Sequence, residues 1–170
     1  MADFEAIRRQ FPILNQQVHG RPLVYLDSAA TAQKPQAVID AESGFYESIN
    51  AGVHRGAHEL AARSTVAFED ARAAMARFVG ASAEEGREEL VVTAGATAGL
   101  NLLATAFGYA SMGRGPAAAR RFALGPGDEI VVSQAEHHSV LLPFQELAAR
   151  TGATLTWFAL DDEGRIRTDT

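Results

Sequence analysis

The apolar positions change period partway along the chain. Leu60, Ser64, Ala67, Phe68, Ala71, Met75, Phe78 and Val79 recur at three- and four-residue spacing, which predicts an amphipathic helix stopped by Gly80. Upstream, DFEAIRRQF predicts a short helix ended by Pro12, and Pro35 opens a second helix through roughly Asn50. LVYL (23–26) is a short apolar stretch running into the small-residue segment DSAATAQKP. Gly52 and Gly56 bracket an irregular segment, AGVHRGAHE. Further on, ELVVT (89–93), DEIVVSQ (128–134) and ATLTWFAL (153–160) are near-continuous apolar runs of strand length. Helical segments, LNLLATAFGY and SVLLPFQELAARTG, lie between them, and DDEG turns the chain after the third. Strand–helix–strand–helix–strand predicts an α/β fold of parallel βαβ units with strands covered on both faces. Residues 111–127, SMGRGPAAARRFALGPG, read as a surface excursion.

Composition narrows the classes. At 170 residues the chain can build one ordinary domain, and 47% hydrophobic with 21% charged residues fits a globular protein. A formal net charge of -6 without a basic stripe argues against a nucleic-acid partner. No apolar run reaches membrane-spanning length, so no membrane partner is expected. The N-terminus MADFEAIRRQF carries acids and arginines where a signal peptide needs an apolar stretch, which points to the cytoplasm. There is no cysteine, which removes disulfides, thiolate metal sites and a cysteine nucleophile from this chain. Of the 15 basic residues only Lys34 is a lysine, so amine chemistry has a single candidate.

Three short stretches carry candidate chemistry. AGATAG (94–99) lies between an expected strand and an expected helix. Gly95 permits a tight turn, the N–H groups of Ala96 and Thr97 are then free at a helix N-terminus, and the Thr97 hydroxyl adds a donor. Such a terminus attracts a phosphate; equally, Gly and Ala there permit close strand–helix packing. The stretch is neither a Walker A loop nor a GxGxxG fingerprint. EHH (136–138) is expected at the end of the neighbouring strand, facing the same carboxyl-end crevice. Its imidazoles suit stacking on a flat ring, acid/base work, metal ligation, or capping of the following helix; adjacent residues converge poorly on a metal. VHRGAHE (53–59) has the His-x-x-x-His spacing of His54 and His58, but Gly56 weakens a helix there and the glutamate is misplaced for HExxH. Arg55 beside His54 would suit an anion; a solvated helix-entry loop explains the segment as well.

Taken in order, LVYLDSAATAQKP, NAGVHRGAHELAARST, ELVVTAGATAGLN and DEIVVSQAEHHSVLLPFQELAARTGATL closely resemble the N-terminal part of PLP-dependent cysteine desulfurases, in the class V aminotransferase family of fold type I. EHH with VHRG upstream is similar to the SUF-type branch, which includes selenocysteine lyases. The resemblance covers nearly the whole chain and is weakest over 109–126.

The resemblance implies pyridoxal 5'-phosphate as cofactor. It implies that Ala96 and Thr97 hold the phosphate and that His137 stacks on the pyridine ring. It places Ala29 and Ala30 on the substrate side, His54 and Arg55 in a segment approaching the active site or dimer interface, and Asn101 near the phosphate helix. Ala98 stands where many relatives carry glutamate. The Schiff-base lysine and the sulfur-accepting cysteine lie beyond position 170 in the family, so no catalytic residue and no metal site are expected in this chain. Lys34 matches a different family position. Residues 1–52 would form an N-terminal segment and 53–170 the front part of the large PLP-binding domain. The implied activity is L-cysteine to L-alanine with persulfide sulfur passed to an acceptor protein of iron–sulfur assembly, in a homodimer. The alternatives are a selenocysteine lyase or other class V PLP enzyme, or a non-catalytic truncated binding module.

Overall fold

The computed structural model describes residues 2–81 and 89–167. The chain divides into two compact units, Met1–Leu90 and Val91–Thr170.

The first unit is mainly helical. Helix α1 (Phe4–Arg9) starts where the Asp3 carboxylate accepts from the Ala6 N–H at 3.0 Å, and a 3-10 turn at Pro12–Asn15 follows it. A small antiparallel hairpin, β1 (Gln17–Val18) and β2 (Arg21–Pro22), closes over His19 and Gly20, both at positive φ. Helices α2 (Gln36–Ser48) and α3 (Glu59–Phe78) match the helices expected after Pro35 and over 60–79. The buried face of α3 differs from the one its periodicity suggests. Ala61, Ser64 and Ala76 are buried, whereas Leu60, Met75 and Phe78 are exposed. The small residues let other backbone approach closely, while the described residues supply no cover for the large ones.

The second unit is a βαβ arrangement. Helix α4 (Ala96–Ser111) is followed by β3 (Glu129–Ser133), α5 (His138–Thr151) and β4 (Thr154–Phe158). Strands β3 and β4 are parallel, in register from Glu129↔Thr154 to Ser133↔Phe158. Ala104, Ala110, Val132, Leu147 and Ala148 are buried and form the core of this unit. Gly152 ends α5 in the left-handed conformation, its N–H donating to the Ala148 carbonyl at 2.9 Å.

One expectation needs correction. The stretch 89–93 is not a strand: apolar β-formers need a hydrogen-bonded neighbour, and no described strand lies beside them, leaving Val91 and Val92 exposed. The parallel sheet therefore has two described strands, not three. The excursion 111–127 is largely exposed, as expected, and is tethered to the helix before it. Its 3-10 segment Ala117–Phe122 stacks Phe122 on Phe107 of α4 at 5.8 Å, and Ser111 Oγ accepts from the Leu124 N–H at 2.9 Å.

Candidate cofactor site

The site in the second unit begins at the turn before α4. Gly95 is the N-cap, with φ +105° and ψ 173°, and no side chain caps the helix. This backbone region is essentially closed to L side chains. The first intrahelical bond runs from the Gly99 N–H to the Gly95 carbonyl at 3.2 Å, so the preceding N–H groups, those of Ala96, Thr97 and Ala98, lie ahead of the helical ladder. The side of Gly95 on which a Cβ would sit is open for 4 Å. One turn on, Asn101 Nδ2 donates to the Thr97 carbonyl at 2.9 Å, which leaves the Asn101 amide oxygen as an acceptor near the helix start.

The second wall comes from α5. The sequence suggested that EHH ends the strand; instead β3 ends at Ser133 and a turn intervenes. The Ser133 hydroxyl builds that turn, accepting from the Ala135 N–H at 3.2 Å and donating to Glu136 Oε1 at 3.1 Å. His137 is then the N-cap of α5, its Nδ1 accepting from the Ser139 N–H at 3.0 Å with the Ser139 hydroxyl at 2.9 Å. An imidazole that accepts through Nδ1 carries its proton on Nε2, so the capping contact fixes the tautomer of the neutral ring. The His138 ring stands edge-on to His137, with centroids 6.3 Å apart and planes at 85°.

Thr97, Asn101, His137 and His138 line one cavity of about 730 Å³ between α4 and α5, whose remaining wall includes Leu142 and Leu147. Both rings line the cavity, and His137 also caps the helix. Capping of the following helix was one of the roles the sequence left open for these imidazoles, and His137 takes it.

The other expected residues lie in the first unit. Ala29 and Ala30 are exposed in a turn where the Ala30 and Thr31 N–H groups both donate to the Asp27 carbonyl at 3.2 Å. The Tyr25 hydroxyl braces this turn, 3.0 Å from the Asp27 carbonyl and 2.7 Å from that of Thr31. His54 has φ +57° and its Nε2 lies 3.0 Å from Glu69 Oε1. His58 caps α3 instead, its Nδ1 accepting from the Ala61 N–H at 3.3 Å, so His54 and His58 serve separate partners. Lys34 Nζ donates to the Ala32 carbonyl at 2.6 Å, in the exposed segment before α2. Among the described residues no three His, Cys, Asp or Glu side chains group as metal ligands.

The donor set fits a phosphorylated, flat cofactor. An uncapped helix N-terminus with an adjacent hydroxyl suits a phosphate, and an imidazole of fixed tautomer on the same cavity suits an aromatic ring.

Comparison with known proteins identifies the family. The aminotransferase class-V family profile matches residues 24–170. The chain is 47% identical over 98% of its length to a probable cysteine desulfurase of Streptomyces coelicolor, covering 37% of that protein. It is 45% identical over 98% of its length to a cysteine desulfurase of Synechococcus elongatus, covering 24% of it. The apo structure of the cysteine desulfurase of Thermococcus onnurineus superposes with a TM-score of 0.77 at 34% identity, over 98% of this chain and 36% of that one. The Escherichia coli cysteine desulfurase CsdA gives a TM-score of 0.68 at 36% identity, over 95% of this chain and 36% of that one. The chain thus spans about a quarter to a third of the length of the curated relatives it matches. On the family match over 24–170, and on a fold shared with these enzymes, the chain belongs to the class-V aminotransferases.

Proposed function

We propose that this chain is the phosphate-binding front part of a PLP-dependent cysteine desulfurase, which converts L-cysteine to L-alanine and passes the sulfur on as a persulfide. The observation that carries the reading is the cavity on which the uncapped start of α4 and the anchored His137 both open. In this reading the N–H groups of Ala96 and Thr97 and the Thr97 hydroxyl hold the phosphate. His137 supports one face of the ring, and Asn101 orders the helix start beside it. Ala29, Ala30, His54 and Arg55 contribute to the substrate side or to the subunit interface of a homodimer. When bound, PLP supplies an electron sink for bond breaking at the substrate amino acid. This chain's residues bind and orient it. The amine that ties it down and the thiol that takes the sulfur must come from elsewhere, since the chain has no cysteine and its single lysine sits in the exposed segment before α2.

The sulfur acceptor is proposed to be a protein of iron–sulfur cluster assembly, and the setting the cytoplasm. Among the described residues no helix is long and apolar enough to cross a membrane.

The test is turnover by the complete protein carrying this chain. With PLP and L-cysteine, alanine and sulfide should form in equal amounts once a reductant releases the persulfide. L-Selenocysteine serves as the parallel arm. Alanine from selenocysteine only would replace the desulfurase reading by that of a selenocysteine lyase, and alanine from neither would remove both.

A further inference from the structure

His54 is one of two non-glycine residues with positive φ among those described; the other, His19, sits in the tight β1–β2 turn. An L side chain disfavours the left-handed region, and such a conformation persists only where its surroundings hold it. Here one stripe of α3 does so. Thr65 Oγ1 accepts from the His54 N–H at 3.1 Å and donates to the Ala61 carbonyl at 2.7 Å. Ser64, fully buried, accepts from the Ala51 N–H at 3.2 Å and donates to the Ile49 carbonyl. Phe68 meets the His54 ring edge-on, with centroids 6.0 Å apart. Glu69 Oε1 lies 3.0 Å from His54 Nε2, and Arg72 Nη1 lies 3.6 Å from the same oxygen. Arg72 is fixed in turn, its Nε donating to the Leu90 carbonyl at 3.0 Å. The spacing of Ser64, Thr65, Phe68, Glu69 and Arg72 keeps all five on one helical face.

The burial is asymmetric. The Glu69 side chain is 15% exposed and that of His54 54%, so the carboxylate is the anchored member and the imidazole the presented one. Arg55 follows directly, and its guanidinium meets no partner among the described residues.

We propose that Glu69 is a positioning residue: its carboxylate holds the His54 imidazole, and with it the left-handed turn that carries Arg55. An ionised carboxylate only accepts, so Nε2 of the neutral ring donates and Nδ1 is left to meet a ligand. The inference rests on the proposed reading of His54 and Arg55 as substrate-side or subunit-interface residues, and it adds Glu69, with Thr65 beside it, to the residues that segment depends on.

A double-mutant cycle in the complete protein tests it. Glu69→Ala should lower kcat/KM for L-cysteine about fivefold, the effect of one half-exposed charged contact. PLP content should stay unchanged. In a His54→Ala background the same change should cost less than in the wild type, because part of its effect passes through that ring while the contact with Arg72 remains. Thr65→Val should also lower kcat/KM, and Thr65→Ser, which keeps the acceptor, should restore it. Additive losses from Glu69→Ala and His54→Ala, or wild-type kinetics for Glu69→Ala, overturn the proposal. The cycle is also read in unfolding free energy, where coupling between the two positions is expected and its absence overturns the contact itself. No alanine from the wild-type protein would instead sink the desulfurase reading, while the unfolding cycle still decides whether Glu69 holds His54.

Discussion

Replacing Gly95 with alanine separates the phosphate from the rest of the cofactor. At φ +105° and ψ 173° a Cβ is torsionally disfavoured, although nothing lies within 4 Å to collide with it. Keeping the turn costs about 1–3 kcal/mol, offset by about 0.4–1 kcal/mol from the stiffer unfolded chain. The alternative is for the turn to relax toward ordinary φ, which swings the Ala96 and Thr97 N–H groups away from their common focus. A hydrogen bond to a charged phosphate contributes about 1.5–3 kcal/mol, so losing one lowers affinity roughly tenfold to a hundredfold. The assay is titration of the complete apoprotein with PLP and, in parallel, with pyridoxal, which lacks the phosphate. Gly95→Ala should weaken PLP by at least about tenfold and leave pyridoxal nearly unchanged. Equal weakening of both, or of neither, would refute the placement of the phosphate at this turn.

Three further outcomes follow from the same geometry. His137→Ala should cost about 1 kcal/mol of stability through the lost cap and weaken PLP binding, whereas His138→Ala should do neither. His137→Asn should regain the stability and not the affinity, and equal PLP affinities for the His137 and His138 variants would contradict the stacking role. Gly56→Ala would place a Cβ 2.6 Å from Ala61 Cβ, so a loss of about 1–3 kcal/mol in denaturant unfolding is expected, and an unchanged midpoint would show that the loop yields freely. The 170-residue chain alone, given PLP and L-cysteine, should form no alanine above the free-PLP background. With Leu26 and Phe78 each 91% exposed it should also self-associate in sedimentation; a compact, cooperatively unfolding monomer would contradict that expectation.

What the sequence revealed was local chemistry and period. Pro35, Gly80 and the spacing along α3 are signals a residue carries within its own few turns, and those elements stand where expected. The parallel β3–α5–β4 unit was legible for the same reason. The stretch 89–93 was not: a strand is defined by its neighbour, and β-propensity is silent about whether one is present. The β1–β2 hairpin was missed, although His19–Gly20 between short extended segments resembles the Asn-Gly signal of a type I′ turn. At the candidate site, the Gly95 turn and the helix start at Ala96 could be read from the sequence, although the strand expected before them is absent among the described residues. The brace from Tyr25 and the hold of Glu69 on His54 could not. The second joins positions 15 residues apart whose contact exists only once α3 is packed.

The most direct measurement is a crystal structure of the complete protein with PLP bound. The account predicts phosphate oxygens within hydrogen-bond distance of the Ala96 and Thr97 N–H groups and the pyridine ring against the His137 imidazole. A phosphate held elsewhere, or a ring that leaves His137 in solvent, would contradict it.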